Sequence, residues 1–326
     1  MLHLRYGGDP RARNLLLYSL GELAGYAHLD PTDPVEGPSG ELVIHPAHRR
    51  RGLGLELTSA LVAAAGHGQL PLRLWAHGDR PAATRLAAAA GFERVRALWQ
   101  MRRSLQARID RPQVADGITI RTFVVGRDED PWLALNHTAF ARHPEQGAWT
   151  RADLDLRERE PWFDPNGFFL AERGGKVVGF HWTKIHGRNA AEQADEAAKP
   201  ADEAAKPAGE PAAPAGDAAK PASEPAGGEA KQADGSGAGP AGHGHEPIGE
   251  VYVVGVDPAE RGHGLGRALT VIGLRYLRSA GLSEAMLYVD EANTAAIRLY
   301  ESLGFTHWHT DVMFASPAGR AAHGAA

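Results

Sequence analysis

No cysteine occurs among the 326 residues. That absence excludes a disulfide framework, a thiolate metal site and a cysteine nucleophile. An excess of positive charge is also missing: 35 basic residues stand against 40 acidic ones, which gives a net charge of −5. Affinity driven by nucleic-acid phosphate is therefore not expected. No apolar run approaches the ~20 residues of a membrane span. The opening Met1-Leu2-His3-Leu4-Arg5 lacks the charged region and apolar core of a signal peptide. These absences suggest a soluble cytoplasmic chain with neither nucleic acid nor membrane as partner.

One long stretch has no large side chains at all. Between Ala190 and His245 there is no aromatic or large aliphatic residue. Ala194-Asp195-Glu196-Ala197-Ala198-Lys199-Pro200 recurs as Ala201 to Pro207, and Asp217 to Pro221 echoes it. Each helix-like unit is cut by a proline, and with nothing to bury the segment cannot offset the entropy of ordering. It reads as a disordered insertion, a solvated spacer. His243 and His245 lie near its end, but two histidines without a third ligand do not make a metal site, and no metal is expected.

Outside the insertion the chain repeats itself. Glu41 to Gly54 and Val251 to Gly266 each hold a β-branched run, a proline and a basic, Gly-rich turn. Amphipathic runs follow, Leu55 to Ala65 and Ala268 to Ala280. Strand signals come next, Leu70 to Ala76 and Ala285 to Val289, then a helix, then Gly91-Phe92 or Gly304-Phe305. Two copies of one α/β unit account for this spacing. The first opens on a strand, Asn14 to Leu20, a turn at Gly21-Glu22 and a return strand, Ala24 to Leu29. The second has more in front: a strand over Ile118 to Phe123, a helix over Trp132 to Phe140, and a hairpin of Phe168 to Glu172 with Val177 to Thr183 about Gly174-Gly175. The expected organisation is a first domain over 1–106, a linker over 107–116, a second domain over 117–315 interrupted at 190–245, and a tail over 316–326.

Arg49-x-x-Gly52-x-Gly54 and Arg261-x-x-Gly264-x-Gly266 join a strand to a helix. Glycines allow close approach of backbone to ligand, and successive N–H groups at a helix start suit a phosphate. Arg50, Arg51, Arg261 and Arg267 add charge. There is no Gly-Lys-Ser/Thr of an ATP/GTP loop and no third glycine of a dinucleotide fingerprint.

The Arg-x-x-Gly-x-Gly turn after a Val-rich strand, with Asn293 to Phe305, resembles the acetyl-CoA pyrophosphate loop of GCN5-related N-acetyltransferases. Phe180-His181-Trp182-Thr183-Lys184, His143 to Gly147, Glu250 to Pro258, Trp75-Ala76-His77-Gly78 and Gln100-Met101-Arg102-Arg103 resemble the mycothiol synthases, a tandem branch of that family. The resemblance implies an α/β fold with a mixed sheet: two tandem acetyltransferase folds, the first lacking its opening elements. It implies a monomer with acetyl-CoA as cosubstrate and no metal. The acceptor would be the cysteinyl amine of a small pseudodisaccharide. A related acetyltransferase for another amine, or a non-catalytic acetyl-CoA-binding module, is the alternative.

Residue roles follow from the same resemblance. Glu250 would be general base and Tyr300 general acid. From the residues alone, Glu250 also reads as a solvated glutamate at a strand start, and Tyr300 as a core aromatic. Glu145, Lys184, Tyr288 and Glu250 would contact the acceptor, although Lys184 and Tyr288 also suit ordinary strand positions. Val254, Gly255 and Val256 would pair with the pantetheine arm, and Gly255 suggests a bulge that frees an N–H. The pyrophosphate would lie on Arg261, Gly262 and His263, then Gly264, Leu265, Gly266 and Arg267. Asn293, Thr294 and Ala295, with Ala296, Ile297 and Arg298, would complete the cofactor site, and Asn293 serves equally as a helix cap. In the first copy Leu42, Val43 and Ile44, with Arg50, Arg51 and Gly52, then Leu53, Gly54 and Leu55, would bind acetyl-CoA. That copy has Ala87 in place of Tyr300, Arg80 in place of Asn293 and Pro38 in place of Glu250, so only the second is expected to catalyse. The family also has a helical segment ahead of the first strand pair, for which this chain starts too late. As a spacer, the insertion is dispensable: deleting 190–245 is expected to leave acetyl transfer unchanged in a steady-state assay, and a lost kcat would give it a catalytic part.

Overall fold

The computed structural model describes residues 11–33, 37–66, 70–141, 144–187 and 246–317, without the side chains of 144 and 145. The insertion and most of the tail lie outside the described residues.

The first copy starts with β1 (Arg13–Ser19) and β2 (Glu22–Asp30), joined by a tight turn. Leu20 and Gly21 form that turn, at φ 54° and 84°, one residue earlier than the expected Gly21-Glu22. Next come β3 (Ser39–Ile44), α1 (Leu53–Ala65), β4 (Arg73–Ala76), α2 (Pro81–Ala89) and β5 (Glu93–Ser104). Strand β4 starts at Arg73 rather than Leu70, because Pro71 has no N–H for a ladder and the Leu72 N–H donates instead to Ser316 Oγ, 2.9 Å away. The second copy has β6 (Ile118–Thr122), α3 (Glu129–Ala139), a single helical turn Pro144–Gly147, α4 (Arg151–Glu158), β7 (Phe168–Arg173) and β8 (Lys176–His186). It continues with β9 (Ile248–Val256), α5 (Leu265–Ser279), β10 (Glu284–Asp290), α6 (Thr294–Ser302) and β11 (Thr306–Ala315).

All eleven strands form one sheet, in the order β1-β2-β3-β4-β11-β5-β10-β9-β8-β7-β6. The two copies have exchanged their last strands. β11 lies antiparallel to β4, with Val312 opposite Ala76, and β5 lies antiparallel to β10, with Leu98 opposite Asp290. β5 and β11 also pair with each other. The end of the expected first domain and the start of the expected linker are fixed to the second copy. The Leu105 N–H donates to the Ser283 carbonyl at 2.8 Å, and Leu105 and Ile109 are buried in the core under α5 and α6. The Arg103 guanidinium donates to the carbonyls of Leu303 and Arg108.

Directly opposed residues share a face of a sheet, as do alternate residues along a strand. Met101 opposes Leu287 in the core beneath α5 and α6, while Ala97 opposes Val312 in the core beneath α1. The same face therefore carries the helices of both copies. The other face of the second copy is covered by α3 and an aromatic cluster of Trp132, Phe168, Phe180 and Trp182, all fully buried. Phe168 stacks on Trp182 at 4.5 Å, and such pairs contribute about 0.5–1.5 kcal/mol beyond burial. On that face of the first copy Leu16, Tyr18 and Val43 are exposed, and β1 is a sheet edge.

Strand exchange makes each sheet incomplete without the other. Residues 1–106 and 107–326 produced separately are expected to show no cooperative thermal unfolding. The intact chain is expected to unfold in a single calorimetric transition of its described body, and two resolved transitions would contradict this.

Candidate active site

The parallel pairing of β9 with β10 is short. Only Gly249, Glu250 and Val251 face partners, namely Ala285, Met286 and Leu287. Beyond them β9 stays with β8 and β10 stays with β5, so the two strands diverge and open a cleft of about 1210 Å³. Tyr252, Trp149, Arg157 and Tyr288 line it from the aromatic face, while Asn293, Ala296 and Tyr300 line it from the helix face. Past Val251 the cleft-facing edge of β9 has no strand partner among the described residues, which leaves backbone groups for an extended ligand.

The bulge expected at Gly255 lies elsewhere. Val251 opposes Thr183 and Val253 opposes Trp182, which leaves Tyr252 as the extra residue. Gly255 pairs regularly with Phe180, and its reason is steric: a Cβ there would stand 2.3 Å from Phe180 Cε1. The ring needs that space to reach the aromatic cluster.

Both Gly-rich turns end on glycines in the left-handed region that start helices. Gly264 (φ 77°) precedes α5 and Gly52 (φ 83°) precedes α1, and neither helix has a side-chain cap. The first N–H groups of each helix therefore stay open to an anion. An added Cβ at Gly262, Gly264 or Gly52 would meet nothing within 4 Å, so backbone conformation alone requires glycine. The first copy has Arg50 at φ 64° where the second has Gly262 at φ 83°. His45 Nδ1 accepts from the Ala47 N–H (3.3 Å) as Asp257 Oδ1 accepts from the Ala259 N–H (3.0 Å).

Side chains around the second turn divide by use. Arg261 and His263 are exposed, and Arg261 donates to the Ala139 carbonyl at 3.2 Å. Arg267 donates to Ser302 Oγ (2.7 Å) and to Asp110 (3.3 Å), so it ties α5 to α6 and the connecting segment. Leu265 and Ile297 are buried in cores and offer only backbone. Thr294, Ala295 and Arg298 are exposed at the start of α6. Asn293 caps α6, its Oδ1 accepting from the Ala296 N–H at 3.2 Å. In the first copy Leu42 and Ile44 pack on the core, Leu53 and Gly54 are half-buried, and Val43, Arg50, Arg51 and Leu55 are exposed.

The aromatic face collects the expected acceptor residues. Lys184 opposes Glu250 in the ladder, and its Nζ lies 4.6 Å from the Trp162 ring centre and 5.4 Å from that of Tyr252. Glu250 is buried, and His186 Nε2 lies 2.6 Å from its Oε2. The Tyr288 hydroxyl accepts from Gln100 Nε2 at 2.7 Å, and burial raises its phenol above the ordinary value. Tyr300 sits across the sheet, packed against Phe305. Burial pushes its phenol up to about 12, so it stays protonated at neutral pH. The side chain of Glu145 lies outside the described residues; its backbone is in the turn Pro144–Gly147. Sequence reading missed His186, although it alternates with Lys184 along β8. It singled out Gln100 only as part of a motif and gave it no role, because its contact with Tyr288 depends on β5 of the first copy pairing with β10 of the second.

The first copy lacks this arrangement. Ala87 is buried in its core, Arg80 starts α2 without a side-chain cap, and Pro38 precedes β3.

Comparison with known proteins agrees with this geometry. Residues 2–92 and 227–305 match the Acetyltransferase (GNAT) family. The chain is 54% identical over 314 residues to the mycothiol acetyltransferase of Thermobispora bispora, covering 96% of this chain and 87% of that one. It is 55% identical over 351 residues to that of Streptosporangium roseum, covering 96% and 88%. Among solved structures, a GCN5-related N-acetyltransferase from Sphaerobacter thermophilus superposes with a TM-score of 0.65 at 23% identity, covering 98% of this chain and 85% of that one. A tandem GNAT protein from the clavulanic acid biosynthesis pathway gives 0.61 at 18%, covering 98% and 87%. These two show likeness of fold.

The close fit at Gly255 is open to test. Gly255→Ala is expected to lower stability in urea denaturation by about 1–3 kcal/mol through overpacking. Adding Phe180→Leu is expected to recover part of that loss, and purely additive effects would contradict the contact.

Proposed function

Because this chain belongs to the acetyltransferase (GNAT) family, we propose that it acts as a mycothiol acetyltransferase, moving the acetyl group of acetyl-CoA to the cysteinyl amine of the cysteinyl-glucosamine-inositol precursor. The observation that carries this reading is the cleft between β9 and β10, lined by the protonated phenol of Tyr300, with the buried Glu250 in the short ladder just before the strands part. Near-full-length likeness to mycothiol acetyltransferases supports the choice of acceptor.

An α-amino group has a pKa near ~7.7–8.0, so at neutral pH most of it carries a proton and cannot attack. Glu250 removes that proton, directly or through water. The amine nitrogen then bonds to the thioester carbonyl carbon and gives up a second proton to solvent, and the carbonyl re-forms as the carbon–sulfur bond breaks. Tyr300 donates a proton or a hydrogen bond to the departing sulfur. The cleft-facing edge of β9 at Val254, Gly255 and Val256 holds the pantetheine arm, and the open N–H groups at the start of α5 hold the pyrophosphate. Lys184, Tyr288 and Glu145 hold hydroxyl oxygens of the acceptor. Among the described residues no cluster suited to a metal ion occurs, and none of these steps calls for one. No helix of the described residues is long and apolar enough to cross a membrane. The first copy keeps a phosphate turn without base or acid, and in this reading does not catalyse.

Release of CoA thiol from acetyl-CoA, with the synthetic precursor as acceptor, tests the proposal. Glu250→Gln and Tyr300→Phe are each expected to lower kcat by about 10²–10⁴-fold, and Arg80→Ala to leave it unchanged. Absence of release above background from the unaltered chain would overturn the acceptor assignment. Full kcat in both variants would overturn the two roles.

A further inference from the structure

Glu250 has a neighbour that the roles above do not use. Its carboxylate is 9% exposed, and the imidazole of His186 lies 2.6 Å from Oε2. The imidazole is 35% exposed and so borders solvent. Register fixes where it stands relative to the chemistry. His186 opposes Ile248, whereas Lys184 opposes Glu250, and the strands open only beyond Val251. His186 therefore stands two residues farther than Lys184 from the point where the strands part, on the side of Glu250 away from it.

We propose that His186 is a positioning residue for acetyl transfer: its imidazole holds one oxygen of Glu250 and leaves the other for the acceptor amine. This rests on reading Glu250 as the general base. A glutamate side chain loses about 1.5–2 kcal/mol of rotamer freedom when fixed, and a hydrogen bond to one oxygen does that fixing before substrate arrives. The imidazole Nε2–H donates to the carboxylate. Other charged and titratable groups face the same site: Lys184 over Trp162 and Tyr252, the phenols of Tyr252 and Tyr288, Arg157 at 3.3 Å from the Tyr252 hydroxyl, and Glu160 near Tyr252.

The full chain carries the test. Acetyl transfer to the precursor is measured for the unaltered chain, His186→Ala and His186→Gln, and the His186 imidazole Nε2–H resonance is recorded by NMR in the unaltered chain and in Glu250→Ala. His186→Ala is expected to lower kcat about 10- to 100-fold, with KM for acetyl-CoA unchanged. His186→Gln, whose amide N–H reaches the same position, is expected to restore most of kcat. In Glu250→Ala the Nε2–H resonance is expected to lose the downfield position of a charge-assisted hydrogen bond. Unchanged kcat in His186→Ala, or a glutamine variant as poor as alanine, would overturn the proposal. So would an Nε2–H resonance indifferent to Glu250→Ala. That last measurement needs no acceptor, so a failed acceptor assignment and a failed positioning role are told apart.

Discussion

Strands β9 and β10 stay hydrogen-bonded for three residue pairs and then part, and the chemistry of the molecule depends on that parting. A continuous parallel ladder would satisfy the backbone of both strands and separate the two faces of the sheet completely. Here the ladder ends, each strand keeps one neighbour, and the gap connects the faces. Tyr300 reaches the gap from the helix side, while Tyr252 and Tyr288 border it from the aromatic side. A thioester lying in the gap would have its sulfur near one face and its carbonyl open to an amine on the other. The bulge at Tyr252 lies one residue past the last pair with β10. It turns the side chains of β9 so that Val251 faces the helices and Val253 the aromatic cluster.

Strand exchange ties the first copy to this site. β5 supplies Gln100 to Tyr288, and Arg103 to the carbonyl that ends α6. The first copy is thus part of the wall and of the support of the second, while Pro38 and Ala87 stand in it where the second has Glu250 and Tyr300. Its phosphate turn survives with a change: Arg50 holds a left-handed conformation that Gly262 adopts freely in the other copy.

Burial sets the electrostatics of the cleft. Tyr300 is kept protonated by loss of solvent rather than by a charged neighbour. Glu250 is buried, with His186 Nε2 2.6 Å from its Oε2. The Lys184 Nζ lies next to two aromatic rings, an arrangement that favours a cation.

Local pattern was enough for much of this. Period-two runs between glycines placed the strands, apolar periodicity placed α1 and α5, and the recurring Gly-rich turn revealed two copies of one unit. These signals are short-range, since each depends on neighbouring residues along the chain. The roles expected of Glu250, Lys184, Tyr288 and Tyr300 came from family resemblance, and the fold places Tyr288 and Tyr300 on the cleft. Other features came only from tertiary structure. The exchange of β5 and β11 depends on which distant edges meet, and no local propensity encodes that choice. The bulge at Tyr252 rather than Gly255 followed from register, and the glycine from the Phe180 ring packed above it. His186 and Gln100 came to the site through pairing across strands far apart in sequence. Sequence alone determined the repeated unit and its chemistry-bearing residues; the fold decided which of them stand within hydrogen-bonding distance, because contact across a sheet is set by register and not by spacing along the chain.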